Sequence, residues 1–471
     1  MDSTHLQKLI DIVGRENVLT EPSDTASFTT DWRGRFKGCC AAVVRPGSAK
    51  EVSEILRYAS THRIPVVPQG GNTGLVGGGI PDATGTAIVI ALTRMNRVRK
   101  VDVLNDTMIV EAGCVLVNIQ AAAREIDRIF PLSLGSEGSC QIGGNIATNA
   151  GGLEVVRYGP MRDHVLGLEV VLPNGDILED ILELRKNNTG YDLKQLFIGA
   201  EGTLGIITAA SVRLYPRPHV TATAFCALAS ADDALSVLSM VKQRCGSRLS
   251  TFEILSKLQV DLVCTHADVQ SPLTGSTPWF LLIELTDPDK DAPVEELLLN
   301  VLSDAMESGM VADAAIAQSD SQKESFWAIR HRVSEANVAT GRVLSHDTSV
   351  PVSSCAEFVR QVESALKDQP SMQLSFVGHL GDGNIHAVAI FDRDRVSAKE
   401  FEVRASEVSS IVYDITRKLN GSISAEHGVG VSLRDKLPGH KNPVELELMR
   451  KIKRLMDPEN IMNPAKLVTL N

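Results

Sequence analysis

Pro68-Gln69-Gly70-Gly71-Asn72-Thr73-Gly74-Leu75-Val76-Gly77-Gly78-Gly79 is the stretch on which the fold turns. Six glycines in twelve residues leave little side chain to bury. What they offer is backbone: N–H groups able to converge on an anion, in conformations that side chains resist. Residues 64–67, Ile-Pro-Val-Val, precede it as a short apolar run and predict a buried strand. The pattern points to a pyrophosphate cradle, with a flexible surface loop as the competing reading. It is not a Walker loop, because no Gly-Lys-Ser/Thr follows. It is not a dinucleotide fingerprint either, because the stretch does not open a helix.

At 471 residues the chain is long enough for two or three domains. Its 43% apolar and 22% charged residues are ordinary for a globular protein. A formal net charge of −11 argues against nucleic acid as a partner. Residues 1–5, Met-Asp-Ser-Thr-His, carry neither the basic nor the apolar part of a secretion signal. No apolar run approaches the ~20 residues of a transmembrane span. Eight cysteines without a CxxC pair predict neither a disulfide framework nor a zinc knuckle. A reducing compartment follows, and the cytoplasm is the expected location.

Outward from the cradle, Ser48-Ala49-Lys50-Glu51 reads as a capping box. The helix after it carries Val52, Ile55, Leu56 and Ala59 on one face. Residues 86–92 read as a second buried strand. Residues 98–103 and 107–110 flank Asn105-Asp106 as a hairpin, residues 117–127 as a helix, and residues 166–172 and 176–178 flank Pro173-Asn174-Gly175 as another hairpin. Residues 134–152 are again small and glycine-rich, suited to lying close against a flat ligand or to a tightly packed turn. After Pro216-Arg217-Pro218, apolar strands (221–228, 279–285) alternate with helical stretches (231–244, 294–308), the pattern of an α+β domain. An amphipathic helix at 444–456 stops at Asp457-Pro458.

Together the cradle, the 134–152 region and Gly199-Ala200-Glu201-Gly202-Thr203-Leu204-Gly205-Ile206-Ile207-Thr208 resemble the FAD-binding domain of vanillyl-alcohol-oxidase type flavoproteins. Within these the chain resembles the D-2-hydroxyacid dehydrogenases, from about residue 40 onward. The resemblance implies an α+β fold: a two-subdomain FAD domain (1–218), a substrate or cap domain (219–422) and a tail (423–471) returning to the flavin. It implies that Pro68, Gly70, Gly71, Asn72, Thr73, Gly74 and Gly79 hold the FAD pyrophosphate. Leu134, Gly135, Ser136, Gly138, Ser139, Gly143, Gly144, Asn149, Gly151 and Gly152, with Glu201, Gly202, Gly205, Ile206 and Ile207, would wrap the adenosine and flavin, and Asn463 would lie near the ring. The cradle has no His, so noncovalent FAD is implied.

Residues 371–377 and 387–391 read as strands around His379-Leu380-Gly381-Asp382-Gly383-Asn384-Ile385-His386. With the turn at 381–384, His379 would face His386, Cβ atoms roughly 4.5–5.5 Å apart. Two such imidazoles could converge on one cation, at about 2.0–2.1 Å for Zn²⁺. The competing reading is a pair of hydrogen-bonded core histidines. Ser424-Ala425-Glu426-His427-Gly428-Val429-Gly430 adds a carboxylate and another His. In the resembled family His379, His386 and Glu426 would bind a divalent metal, Zn²⁺ being the first candidate, and His427 would be the base. Arg330 is the best match for holding the substrate carboxylate, against a reading as a surface helix charge. Ser334 keeps the hydroxyl of a Thr in the D-2-hydroxyglutarate enzymes.

Two positions depart from those enzymes. Their substrate-binding Lys, two residues before the Asp of Asp347-Thr348-Ser349-Val350-Pro351, is Ser345 here, and an Asn two residues after the second metal His is Val388. The expected substrate is a D-2-hydroxy acid of the D-lactate or D-2-hydroxyglutarate class. The expected acceptor is soluble, such as an electron-transfer flavoprotein or a quinone, and a homodimer is allowed. An oxidase using O₂, a non-catalytic flavin-binding protein and a metal hydrolase are the rival readings; the last leaves the cradle unexplained.

Overall fold

The computed structural model describes residues 2–470. The chain forms two compact units. One comprises residues 2–152, Gly159–Arg217 and residues 426–470; the other comprises Leu153–Tyr158 and Pro218–Ala425.

In the first unit β1 (Val18–Leu19), β2 (Ala42–Val44), β3 (Val66–Gln69) and β4 (Ile88–Ala91) pair in the order β1-β2-β4-β3. β2, β4 and β3 run parallel, which requires a crossover, and α1 (Ala49–His62) supplies it between β2 and β3. Ser48 Oγ accepts from the Glu51 amide at 3.2 Å. The carboxylate half of the expected capping box reaches one residue further back, to the Gly47 amide at 2.8 Å. Val52, Ile55, Leu56 and Ala59 are all buried, the face that their spacing predicts. The strand expected at 64–67 starts two residues late. The Ile64 amide closes α1 on the Ala59 carbonyl and Pro65 has no N–H, so the ladder begins at Val66. β3 therefore delivers the chain directly into the cradle.

A second, antiparallel sheet has the order β5-β6-β9-β7-β8, with β5 (Val98–Asp102), β6 (Thr107–Glu111), β7 (Val165–Val171), β8 (Ile177–Asp180) and β9 (Ile206–Arg213). Both expected hairpins are present, β5–β6 and β7–β8. The expected helix at 117–127 is α2 (Leu116–Glu125), and α3 (Ile142–Ala147) lies within the second glycine-rich region.

The second unit is one antiparallel sheet, ordered β13-β10-β12-β11-β15-β16-β14. Its strands are β10 (Val220–Leu228), β11 (Leu249–Ser256), β12 (Trp279–Asp287), β13 (Val311–Ile316), β14 (Arg342–Ser349), β15 (Met372–His379) and β16 (Asn384–Phe391). Seven helices cover it: α4 (Ala231–Cys245), α5 (Lys257–His266), α6 (Val294–Glu307), α7 (Asp320–His331), α8 (Val333–Thr340), α9 (Cys355–Leu366) and α10 (Ala398–Lys418). α4, α6, α9 and α10 cover one face, over a core that includes Phe252, Leu281, Phe358 and Phe376. α5, α7 and α8 cover the other, over Phe225, Leu282, Ile329 and Val377.

The β15–β16 register differs from the expected one. His379 pairs with Asn384 and His386 with Val377, so the turn is 380–383 rather than 381–384. Asp382 Oδ1 accepts from the Asn384 amide at 3.0 Å, and the Gly383 amide, at φ +92°, donates to the His379 carbonyl at 3.2 Å. These bonds close the turn one residue early. Each partner moves by two positions along the opposite strand, so both imidazoles keep the same face. They are diagonal neighbours with ring centroids 5.9 Å apart at 79°.

The tail of the first unit holds α11 (Pro443–Met456), capped by Asn442 Oδ1, which accepts from the Val444 amide at 2.8 Å. Beyond it Asn463 Nδ2 donates to the carbonyls of Gly78 at 3.0 Å and Glu201 at 2.8 Å, pinning the tail to the cradle. Among the described residues no helix is long and apolar enough to cross a membrane.

Candidate active site

Within the first unit a cleft follows the cradle. It is lined by Pro68, Gly70, Gly71, Asn72, Thr73, Gly74 and Gly79, by Gly143 and Gly144 of α3, by Glu201, Gly202, Gly205, Ile206 and Ile207, and by His427. Leu134, Gly135, Ser136, Gly138, Ser139, Asn149, Gly151, Gly152 and Asn463 are not on this wall; several of them stand behind it. A Cβ on Gly71 would come within 2.0 Å of the Ser139 carbonyl oxygen, so glycine lets the 134–152 region back the cradle closely. Asn149 Oδ1 accepts from the Arg162 amide at 2.9 Å.

The cleft suits a polar ligand. Cβ atoms built on Gly74 and Gly144 would meet nothing within 4 Å, so these residues leave room beside the backbone. Three buried side-chain oxygens on the wall, Gln69 Oε1, Gln141 Oε1 and Asn145 Oδ1, have no hydrogen-bond partner among the described residues. Such acceptors are costly unless a ligand donates to them. FAD would fit: its hydroxyls, adenine amine and flavin N3–H are donors of the kind these oxygens lack. Cys140 shares the wall, but burial pushes its thiol up, away from the reactive thiolate.

In the second unit, strand pairing gathers a polar row on the face under α5, α7 and α8. Glu253 pairs with His379, His379 with Asn384, and His386 with Asp347, and alternation along β16 keeps Asn384 and His386 together. Glu253 is fully buried. Its Oε1 lies 2.6 Å from His379 Nδ1 and its Oε2 2.5 Å from Arg330 Nε. Burial alone would push the Glu253 carboxyl up. The hydrogen-bonded His379 and the Arg330 guanidinium outweigh that and hold it below the usual carboxylate range. Arg330 Nη2 is also 3.4 Å from His379 Nε2. With 14% of its side chain exposed, Arg330 is not a solvated surface charge on α7. Asp347 accepts from Asn384 Nδ2 and from the Ala425 amide, both at 3.1 Å, which fixes the residue just before Glu426 beside the partner of His386.

Ser334 is exposed on α8 and its hydroxyl makes no hydrogen bond among the described residues, so nothing in this unit gives it a role in the row. Ser345 and Val388, the two departing positions, are direct register partners. Val388 belongs to the apolar core with Val377 and Ile390. Glu253 was missed by sequence reasoning; the available signal was a lone charge inside the apolar strand Thr251-Phe252-Glu253-Ile254-Leu255.

Residues 40–180 match the family described as the FAD binding domain, and residues 217–467 match that described as the C-terminal domain of FAD linked oxidases. The chain is 39% identical over 470 residues to the mitochondrial D-2-hydroxyglutarate dehydrogenase of Arabidopsis thaliana, covering 99% of this chain and 82% of that protein. It is 36% identical over 449 residues to the D-2-hydroxyglutarate dehydrogenase of Xanthomonas citri pv. viticola, covering 95% and 93%. Among solved structures, p-cresol methylhydroxylase with substrate bound matches with a TM-score of 0.77 at 18% identity, covering 98% of this chain and 96% of that one, a likeness of fold.

Proposed function

The chain belongs to the FAD-linked oxidases, flavoproteins of the vanillyl-alcohol-oxidase type, and from that premise we propose that it oxidises a D-2-hydroxy acid of the D-lactate or D-2-hydroxyglutarate class to the 2-oxo acid. The observation that carries this reading is that His427 lies on the wall of the glycine-cradled cleft itself. A base belongs beside the cofactor that takes the substrate's hydride. FAD, when bound, accepts that hydride at its N5.

His379, His386 and Glu426 would hold a divalent cation, Zn²⁺ first among candidates. When bound, the cation lowers the pKa of the substrate hydroxyl. Glu253 supports this assignment. By accepting from Nδ1–H it leaves the lone pair on His379 Nε2, the nitrogen that Arg330 Nη2 approaches at 3.4 Å and that a cation would take. His427 takes the hydroxyl proton on its ring, help worth typically about 10²–10⁴-fold. Arg330, oriented by Glu253 through Nε, presents its remaining N–H groups to the substrate carboxylate. A soluble acceptor, an electron-transfer flavoprotein or a quinone, would then reoxidise the flavin. All eight cysteines are free thiols, which suits a reducing compartment.

Metal analysis tests the reading. His379→Ala and His386→Ala should each lose the cation and activity while keeping the flavin, since the cleft belongs to the other unit. Full activity in a thoroughly chelated, metal-free preparation would sink it.

A further inference from the structure

Glu201 lies on the wall of a cleft built for a pyrophosphate, where a carboxylate is out of place as a ligand. Its side chain faces a different partner. Oε1 accepts from the Val429 amide at 2.7 Å and Oε2 from the Gly430 amide at 2.8 Å. Both oxygens accept N–H donors, an arrangement that suits a carboxylate. Burial pushes this carboxyl up, and the two amides and Lys466 offset that only in part. The residue is 8% exposed and sits at φ +51°, a backbone conformation uncommon for a non-glycine side chain.

The loop it grips is shaped to fit. Gly428 has φ +84°, and a Cβ there would come 3.0 Å from Glu201 Oε1. Gly430 has φ +51°, and a Cβ there would come 2.3 Å from the Val76 carbonyl oxygen. The Val431 amide donates to that same Val76 carbonyl at 2.8 Å. The clasp therefore begins two residues after His427 and fastens its loop to the cleft.

We infer that Glu201 is a positioning residue, setting His427 over the flavin site through the Val429 and Gly430 amides rather than holding the cofactor. The inference rests on the reading of His427 as the base. Charge-assisted hydrogen bonds are about twice as strong as neutral ones, so a paired grip of this kind resists the small displacements that slow a proton transfer.

Anaerobic single-turnover reduction of the bound flavin, in holoenzyme variants, tests it. Glu201→Ala should keep its flavin and slow reduction by about 10- to 10²-fold, the cost of misplacing a catalytic group by about an ångström. Glu201→Gln should recover part of that rate, since its single Oε1 can accept one amide. In a His427→Ala background, Glu201→Ala should slow reduction no further. If Glu201→Ala does not fold, Glu201→Gln carries the same double-mutant cycle. A wild-type rate in both Glu201 variants overturns the inference, as does an equal slowing with and without His427. Loss of flavin from both variants overturns it too, making Glu201 a cofactor-holding residue. A wild-type rate in His427→Ala alone overturns the base assignment and takes this inference with it; a slow His427→Ala beside unaffected Glu201 variants overturns the inference alone.

Discussion

Glu253 Oε1 lies 2.6 Å from His379 Nδ1, with the carboxylate fully buried. A carboxylate behind a metal-binding imidazole fixes its tautomer and raises its basicity. Removing such a partner typically weakens metal affinity by about 10–100-fold. Glu253→Gln is therefore expected to lose divalent metal on dilution or mild chelation, with flavin content unchanged. Elemental analysis of the purified variant reads this directly. Metal content and affinity equal to wild type would leave the pair a purely structural contact.

The flavin is expected to be noncovalent. The cradle has Asn72 and Thr73 where attachment would need a His, and Cys140 is held in its thiol form by burial. Acid or heat should release intact FAD into the supernatant. Yellow colour remaining with the denatured chain would contradict this.

How much of this was legible in the sequence depended on range. The cradle, the capping helix, and the hairpins at Asn105-Asp106 and Pro173-Asn174-Gly175 follow from signals a few residues apart, and all are present. The His379–His386 hairpin was legible in kind but not in register. Asp382 closes the turn early through one side-chain bond that a hydrophobic pattern does not encode. Glu253 was invisible because its meaning comes from β11 pairing with β15, 126 residues away in sequence. Arg330 was found by resemblance, but its ion pair with Glu253 needed the same long-range pairing.

Substrate choice should reflect Ser345 and Val388. These paired positions offer one exposed hydroxyl and an apolar core side chain, not the Lys and Asn of the D-2-hydroxyglutarate enzymes. Losing one charge-assisted hydrogen bond costs roughly 1.5–3 kcal/mol, or about ten- to a hundredfold in affinity. D-Lactate, or a D-2-hydroxy acid with a modest uncharged side chain, should thus compete well with D-2-hydroxyglutarate. Side-by-side kcat/KM values decide. A preference of about a hundredfold or more for the diacid would mean that another cation, such as Arg332 or Arg342, fills the gap.

Stability should fall between about pH 5 and about pH 8 because of Glu154. Burial, reinforced by the Glu284 carboxylate, pushes its carboxyl up from 4.5 to about 8. A carboxyl raised on folding contributes stability that is fully present below 4.5 and lost as pH rises through about 8. Glu154→Gln removes that dependence. Its Tm advantage over wild type should therefore grow between about pH 5 and about pH 8 and then level off. A Tm difference independent of pH would mean that Glu154 ionises normally in the folded chain.

Anaerobic mixing of the purified yellow protein with paired D- and L-2-hydroxy acids tests the central claim most directly. Prompt bleaching of the flavin absorbance by D-lactate or D-2-hydroxyglutarate, with the L-enantiomers inert and His427→Ala slowed by about 10²–10⁴-fold, is the predicted result. A flavin left oxidised by every D-2-hydroxy acid offered, or bleached equally by the L-enantiomers, would contradict the account.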